Sequence, residues 1–172
     1  NRCIVHILVL SFASGLPLML ITQSLQWWFK INGVKTADVA ATSLLLFPYT
    51  LKFLWAPLLD RFTLWGHERR RSWIILFQAL MVPTILIMGQ LDPRFQSVNI
   101  AILALFIALF SASQDVVINA YTVDYLHQEE RALGATAIQF SYRMAMLVGS
   151  TGLILLGSMV SWKFAYDVAS LL

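Results

Sequence analysis

Three charged side chains stand inside long apolar runs of the sequence: Lys52, Asp115 and Arg143. A charge near the middle of a bilayer costs about 2.5–3.5 kcal/mol on insertion scales, so a charge retained there is by default a candidate for an ion or substrate pathway. Counted at about 1.5 Å per helical residue, Lys52 lies on the order of 12 Å from Asp60, Asp115 on the order of 14 Å from Asp124 and Arg143 on the order of 18 Å from Arg131. All three can therefore meet in one half of the membrane. One carboxylate against two cations implies that Asp115 pairs with either Lys52 or Arg143, leaving the other cation for an anionic substrate or another part of the protein. An ion pair that only packs helices together is the competing account.

Uncharged polar residues mark the helix faces that avoid lipid. Ser111, Asp115, Asn119 and Thr122 recur at i, i+4, i+8 and i+11, which places them on one narrow stripe. Ser11, Gly15, Thr22 and Gln26 align similarly, as do Thr136, Gln139, Arg143 and Ser150, whereas the third run offers only Gln78 and Thr84. Helices one, four and five are expected to face a polar cavity and helix three to lie at the periphery. For a single Ser or Thr, an interhelical hydrogen bond is explanation enough.

The elements that must carry these residues are transmembrane helices. A bilayer core needs about 20 apolar residues in helical form, and the qualifying runs are 3–25, 39–59, 72–91, 98–121 and 132–160, with a sixth starting near 162. They lack the period-two alternation of barrel strands, so the expected class is an all-α integral membrane bundle of five complete helices and the start of a sixth. Pro17, Pro48, Pro57 and Pro83 fall within the runs, and each removes a backbone donor. The first run is too long for the apolar region of a secretory leader and has no cleavage-like site, which favours a spanning helix.

Composition excludes several classes. The 172 residues are 59% hydrophobic and 12% charged, outside the range of a water-soluble domain. The single cysteine, Cys3, allows no internal disulfide, and His6, His67 and His127 lack ligand spacing, so no metal site is expected. The net charge is +3, and most arginines sit beside the ends of apolar runs. Membrane topology accounts for them better than nucleic-acid binding. His67 with Glu68, and His127 with Glu129 and Glu130, are the only constellations a membrane enzyme could use, and their loops read as ordinary solvated connections. The chain opens on Asn1 and stops within an apolar run, which leads to the expectation of a piece of a longer protein.

Basic residues also set an expected orientation. With the amino end in the cytoplasm, Arg2, Arg61, Arg69, Arg70, Arg71 and Arg131 lie inside, against Lys30, Lys35, Arg94 and Lys163 outside. The dense cluster at 69–71 decides it, because such a loop resists translocation.

The segment 51–71, LKFLWAPLLDRFTLWGHERRR, carries an Asp-Arg pair after the second run and a basic cluster before the third. It resembles the loop signature of the major facilitator superfamily, although Ala56 replaces its first glycine and the stretch between Arg61 and Arg69 is longer than usual. With SGLPLML at 14–20, FSASQDVVINAY at 110–121, EER at 129–131 and YRMAMLVG at 142–149, the chain resembles the AmpG muropeptide permease family along most of its length. The resemblance implies that residues 1–172 are part of an N-terminal six-helix half. It also implies a proton-driven importer of anhydro-muropeptides in the bacterial inner membrane, working with a C-terminal half of the same transporter. The proton gradient would be the coupling source, with no cofactor, and the lipid bilayer and the small-molecule substrate would be the other partners.

Carried over by position, the resemblance places Asp60, Arg61, Arg69, Arg70 and Arg71 in a cytoplasmic gating loop. Gln114 and Asp115 fall in the helix-four block, and Tyr142 and Arg143 in the helix-five block. Asn119 stands where the family usually has an acidic residue, so if that carboxylate carries the coupling proton this chain must use Asp115 or do without. Lys52 or Arg143 would then hold substrate carboxylates, while Gln26, Gln114 and Asn119 would offer hydrogen bonds to sugar or peptide groups. The rival expectations are a related facilitator of another anionic solute such as acetyl-CoA, a membrane enzyme, and a non-transporting remnant.

Overall fold

A computed structural model describes residues 2–62, 69–126, 128 and 131–171, and among these no strand occurs. Four helical stretches are long and apolar enough to cross a membrane: Val5–Ile31, Arg70–Gln90, Pro93–Asp124 and Ala132–Met159. They cover four of the five complete runs expected from hydropathy. His67, Glu68, His127, Glu129 and Glu130, the enzyme-like constellations, lie outside the described residues.

The first stretch comprises α1 (Arg2–Met19), a π-helical turn at Leu20–Ser24 and α2 (Leu25–Ile31). It continues six residues beyond its apolar run because the backbone ladder ends only where a terminator is available. Gly33, at φ 71°, supplies it. The Val34 amide bonds to the Phe29 carbonyl at 3.1 Å and the Gly33 amide to the Lys30 carbonyl at 3.2 Å. This pair of bonds satisfies carbonyls that would otherwise be orphaned at the helix end.

The second run departs from expectation. In place of one spanning helix the chain forms α3 (Thr36–Ala41), a 3₁₀ turn at Thr42–Leu46, α4 (Phe47–Leu51), a second 3₁₀ turn at Lys52–Leu54 and α5 (Ala56–Arg61). Pro48 and Pro57 each sit at the opening of a new helical piece. Lacking an amide hydrogen, they cannot bond back to the carbonyls of Leu44 and Phe53, and their fixed φ suits a first turn better than a helix interior.

α6 (Arg69–Gln90) packs against both α7 (Pro93–Tyr125) and α10 (Trp162–Leu171). Asp92 caps α7 by accepting from the Arg94 amide at 2.9 Å, with Pro93 in the first turn, so this helix starts earlier than its apolar run. The last long stretch comprises α8 (Arg131–Leu147), a π-helical turn at Val148–Gly152 and α9 (Leu153–Met159).

α7 is the central post. Ile100, Ala104, Ile107 and Ala108 are fully buried against the first stretch and α6, while Val98, Ile102, Leu105 and Leu109 form an exposed apolar seam suited to lipid. Helices in a bilayer gain no hydrophobic drive from meeting one another, so close contact through small residues decides which faces pair. A methyl group at Gly15 would stand 3.0 Å from the Tyr142 ring and 3.1 Å from the Ala145 Cβ, and one at Gly149 would stand 3.0 Å from the Met19 Cβ. These two contacts hold the first stretch against α8 and its π turn.

Candidate functional site

The break in the second segment places Lys52 at the start of a 3₁₀ turn facing α7. Its Nζ lies 3.1 Å from Asp115 Oδ2. Asp115 Oδ1 accepts a hydrogen bond from the Ser14 hydroxyl of α1. The alternatives left open by the sequence are thus resolved: Asp115 pairs with Lys52, and Arg143, exposed on α8, has no ion pair or hydrogen bond with a described residue.

Two further polar contacts flank this pair. Tyr49 donates to Ser111 Oγ at 2.8 Å, and Trp55 Nε1 donates to Ser113 Oγ at 3.0 Å. With Lys52 they attach the broken segment to α7. Ser111 in turn donates to the Ser14 carbonyl at 3.2 Å, so α1, α4 and α7 are joined in one network. The Lys52 and Asp115 side chains retain 32% and 17% of their exposure. A fully buried pair would lose much of its Coulomb attraction to desolvation, whereas this one borders an open face. Tyr142 packs over Gly15 and lies within electrostatic reach of Asp115, as does Tyr49.

Other sequence-derived candidates separate. Asn119 is exposed one turn beyond Asp115 on α7. Gln114 is completely buried, and its amide donates to Gln78 Oε1 at 3.0 Å, which turns it toward α6 and away from Asp115. Its hydrogen bond thus ties α7 to α6. Gln26 is half-buried on α2, about 18 Å along the first stretch from Ser14 at the α-helical rise. It does not join the Lys52–Asp115 group.

At the end of the bundle that carries the basic cluster, Arg70 spans two carboxylates. It contacts Asp60 of α5 through Nη1 and Asp124 of α7 through Nε, the latter at 3.1 Å. Arg61 and Arg71 are exposed. The Arg69 and Arg131 side chains lie outside what is described. Among the described residues no cluster of His, Cys, Asp and Glu is arranged to hold a metal ion.

Sequence reasoning missed Ser14, Tyr49, Ser113 and Asp124 as members of these networks. Tyr49 and Lys52 are three apart, a spacing that puts both on one helical face and could have suggested a shared neighbour. Ser14 carries no such signal, since a serine in an apolar helix is ordinary.

Four helices long and apolar enough to cross a bilayer mark a multi-pass membrane protein. The chain belongs to the family described as acetyl-coenzyme A transporter 1, whose model matches residues 4–165. It is similar to the anhydromuropeptide permease of Escherichia coli strain K12, with 41% identity over 93% of this chain and 33% of that protein. It is also similar to the putative transporters AmpG 4 of Rickettsia felis, at 28% identity over 97% of this chain and 42% of that protein, and AmpG 3 of Rickettsia prowazekii, at 30% over 96% and 41%. The resemblance to AmpG permeases read from the five sequence blocks holds. The chain spans about a third of the length of the first of these relatives.

Proposed function

We propose that this chain is part of the N-terminal half of a secondary transporter that imports anhydro-muropeptides across the bacterial inner membrane by proton-coupled alternating access. The observation that carries the reading is the part-exposed Lys52–Asp115 pair inside the apolar region, with a cation, Arg143, unpaired among the described residues on a neighbouring helix. The names of the relatives supply the substrate class. On this reading the broken segment from α3 to α5 is the second of five crossings and α10 the start of a sixth, with the amino end in the cytoplasm. The basic loop of Asp60, Arg61, Arg69, Arg70 and Arg71 gates the cytoplasmic side.

The steps follow from charge. A proton from outside binds Asp115 and removes the charge that holds Lys52. Lys52, together with Arg143, then takes substrate carboxylates, while Asn119 and Tyr142 offer hydrogen bonds along the same face. After the two halves rock to the inward state, Asp115 loses its proton to the cytoplasm, Lys52 returns to it, and the substrate is released. The mechanism uses the proton gradient and no cofactor.

Arg143→Gln in the full-length protein tests the substrate side. The concentration of labelled N-acetylglucosaminyl-anhydromuramyl peptide needed for half-maximal uptake should rise about tenfold or more, as expected for loss of a charge-assisted contact. Unchanged uptake would remove Arg143 from the pathway. The family description favours acetyl-CoA as a second candidate cargo. Competition in vesicles separates the two: unlabelled muropeptide should block labelled muropeptide uptake, and acetyl-CoA should not.

A further inference from the structure

Ser14 is bound to α7 through both of its polar groups. Its hydroxyl donates to Asp115 Oδ1, and its carbonyl accepts from Ser111 Oγ at 3.2 Å. Ser111 and Asp115 are one helical turn apart, so together they bracket Ser14 in register. Ser14 is 1% exposed and Ser111 is fully buried, which leaves neither hydroxyl access to water. Among the described residues, Ser14 from α1 and Lys52 from the 3₁₀ turn contact Asp115, while Tyr49 from α4 and Tyr142 from α8 lie within electrostatic reach of it. Among the described residues only Ser14 and Lys52 bond to the carboxylate, and they take different oxygens.

We infer that Ser14 is a positioning residue that makes the coupling proton and Lys52 compete for the same oxygen of Asp115. The inference rests on the reading of Asp115 as the coupling carboxylate. With Oδ1 occupied by a buried donor, an arriving proton is directed to Oδ2, the atom that holds Lys52 Nζ. Forming the Oδ2–H bond neutralises the carboxylate and breaks its contact with Lys52, so protonation and release of the cation become one event. The proton comes from the outer aqueous phase and leaves to the cytoplasm, where Lys52 replaces it on Oδ2. Without Ser14 the proton can settle on Oδ1 and leave the carbonyl Oδ2 still accepting a hydrogen bond from Lys52, so proton binding weakens the hold on the cation without ending the contact. Substrate then still exchanges through Arg143, which the change leaves free, but the gradient no longer drives it uphill.

The test uses the full-length protein in membrane vesicles with labelled N-acetylglucosaminyl-anhydromuramyl tripeptide as probe. Two quantities are measured: accumulation under an imposed inward proton gradient, and exchange of labelled for unlabelled probe without a gradient. Ser14→Ala should lower accumulation about tenfold, the scale of one hydrogen bond to a charged group, while exchange stays within about twofold. Ser14→Thr, which keeps the hydroxyl, should accumulate more than Ser14→Ala. Wild-type accumulation in Ser14→Ala overturns the inference, and so does a parallel fall of both quantities, which would mark a purely structural role. Asp115→Asn in the same assay isolates the underlying reading. If that variant still accumulates the probe, proton coupling through Asp115 fails. If it loses accumulation while Ser14→Ala behaves as wild type, only the role of Ser14 fails.

Discussion

Ser24 donates its hydroxyl to the Gly149 carbonyl at 2.7 Å, joining the π-helical turn in the first membrane stretch to the one in the last. A π turn widens the helix by one residue and disturbs the regular ladder of carbonyl acceptors. Here one such carbonyl is taken up by a side chain from the partner helix, and Ser24 is 1% exposed. Ser24→Ala should therefore destabilise the fold by about 1 kcal/mol, in line with interhelical hydrogen bonds in bilayers. Thermal unfolding of the purified protein in detergent measures it, and an unchanged midpoint would mean that the two turns do not depend on each other.

Gly89 is predicted to be intolerant where Gly152 is tolerant. An added methyl at Gly89 would sit 2.6 Å from the Tyr166 Cβ, an atom fixed to the α10 backbone, whereas at Gly152 the nearest atom is Val148 Cγ1 at 3.8 Å. Gly89→Ala should cost about 1–3 kcal/mol by forcing α6 and α10 apart. Gly152→Ala should stay within about 0.5 kcal/mol of the parent, as an ordinary substitution does. The pair of midpoints in one detergent checks both.

Gln114→Leu separates packing from transport. Since the buried Gln114 donates to a part-exposed Gln78, the variant should lower stability by about 1 kcal/mol, the net worth of one hydrogen bond. The half-saturating substrate concentration should remain within about twofold, the scatter expected when no solute contact is touched. A large rise in that concentration with unchanged stability would return Gln114 to the pathway.

Arg70→Gln should affect conformational cycling more than stability. Asp60 and Asp124 are about half exposed, at 51% and 48%, and exposed pairs contribute only about 0–1 kcal/mol. The thermal midpoint should thus shift little, while the maximal uptake rate falls because α5, α6 and α7 lose their common tie. A double-mutant cycle with Asp124→Asn measures the coupling. Strictly additive rate effects would mean that the Arg70–Asp124 contact plays no part in cycling.

The helical class and four of its long elements were legible because apolar run length responds to the same quantity the bilayer selects. Lys52 and Asp115 were legible for the converse reason, as charges that apolar surroundings would otherwise reject. Their pairing was not, because rise-based depths place Lys52 and Arg143 within a few ångströms of the same level, and rotation about the helix axes decides contact. Hydropathy also reads the second segment as continuous. It weighs side chains, while the interruption arises from backbone donors missing at Pro48 and Pro57. Adjacent residues on a helix point about 100° apart, so sequence neighbours Gln114 and Asp115 bond to different elements, Gln114 to Gln78 of α6 and Asp115 to Lys52 and Ser14. The π turns have no sequence signature that composition or periodicity would reveal.

The interrupted second segment has a consequence for solvent isotope uptake. Its short helical pieces leave few consecutive intrahelical bonds, and among the described residues its direct hydrogen bonds to α7 side chains come from Tyr49, Lys52 and Trp55. In deuterated buffer its amides should exchange as a low-protection unit beside the slow-exchanging middle of α7. Each contact removed should raise deuterium uptake at its own level of the segment, so the side chains that bind the charge would also mark the boundaries of local opening.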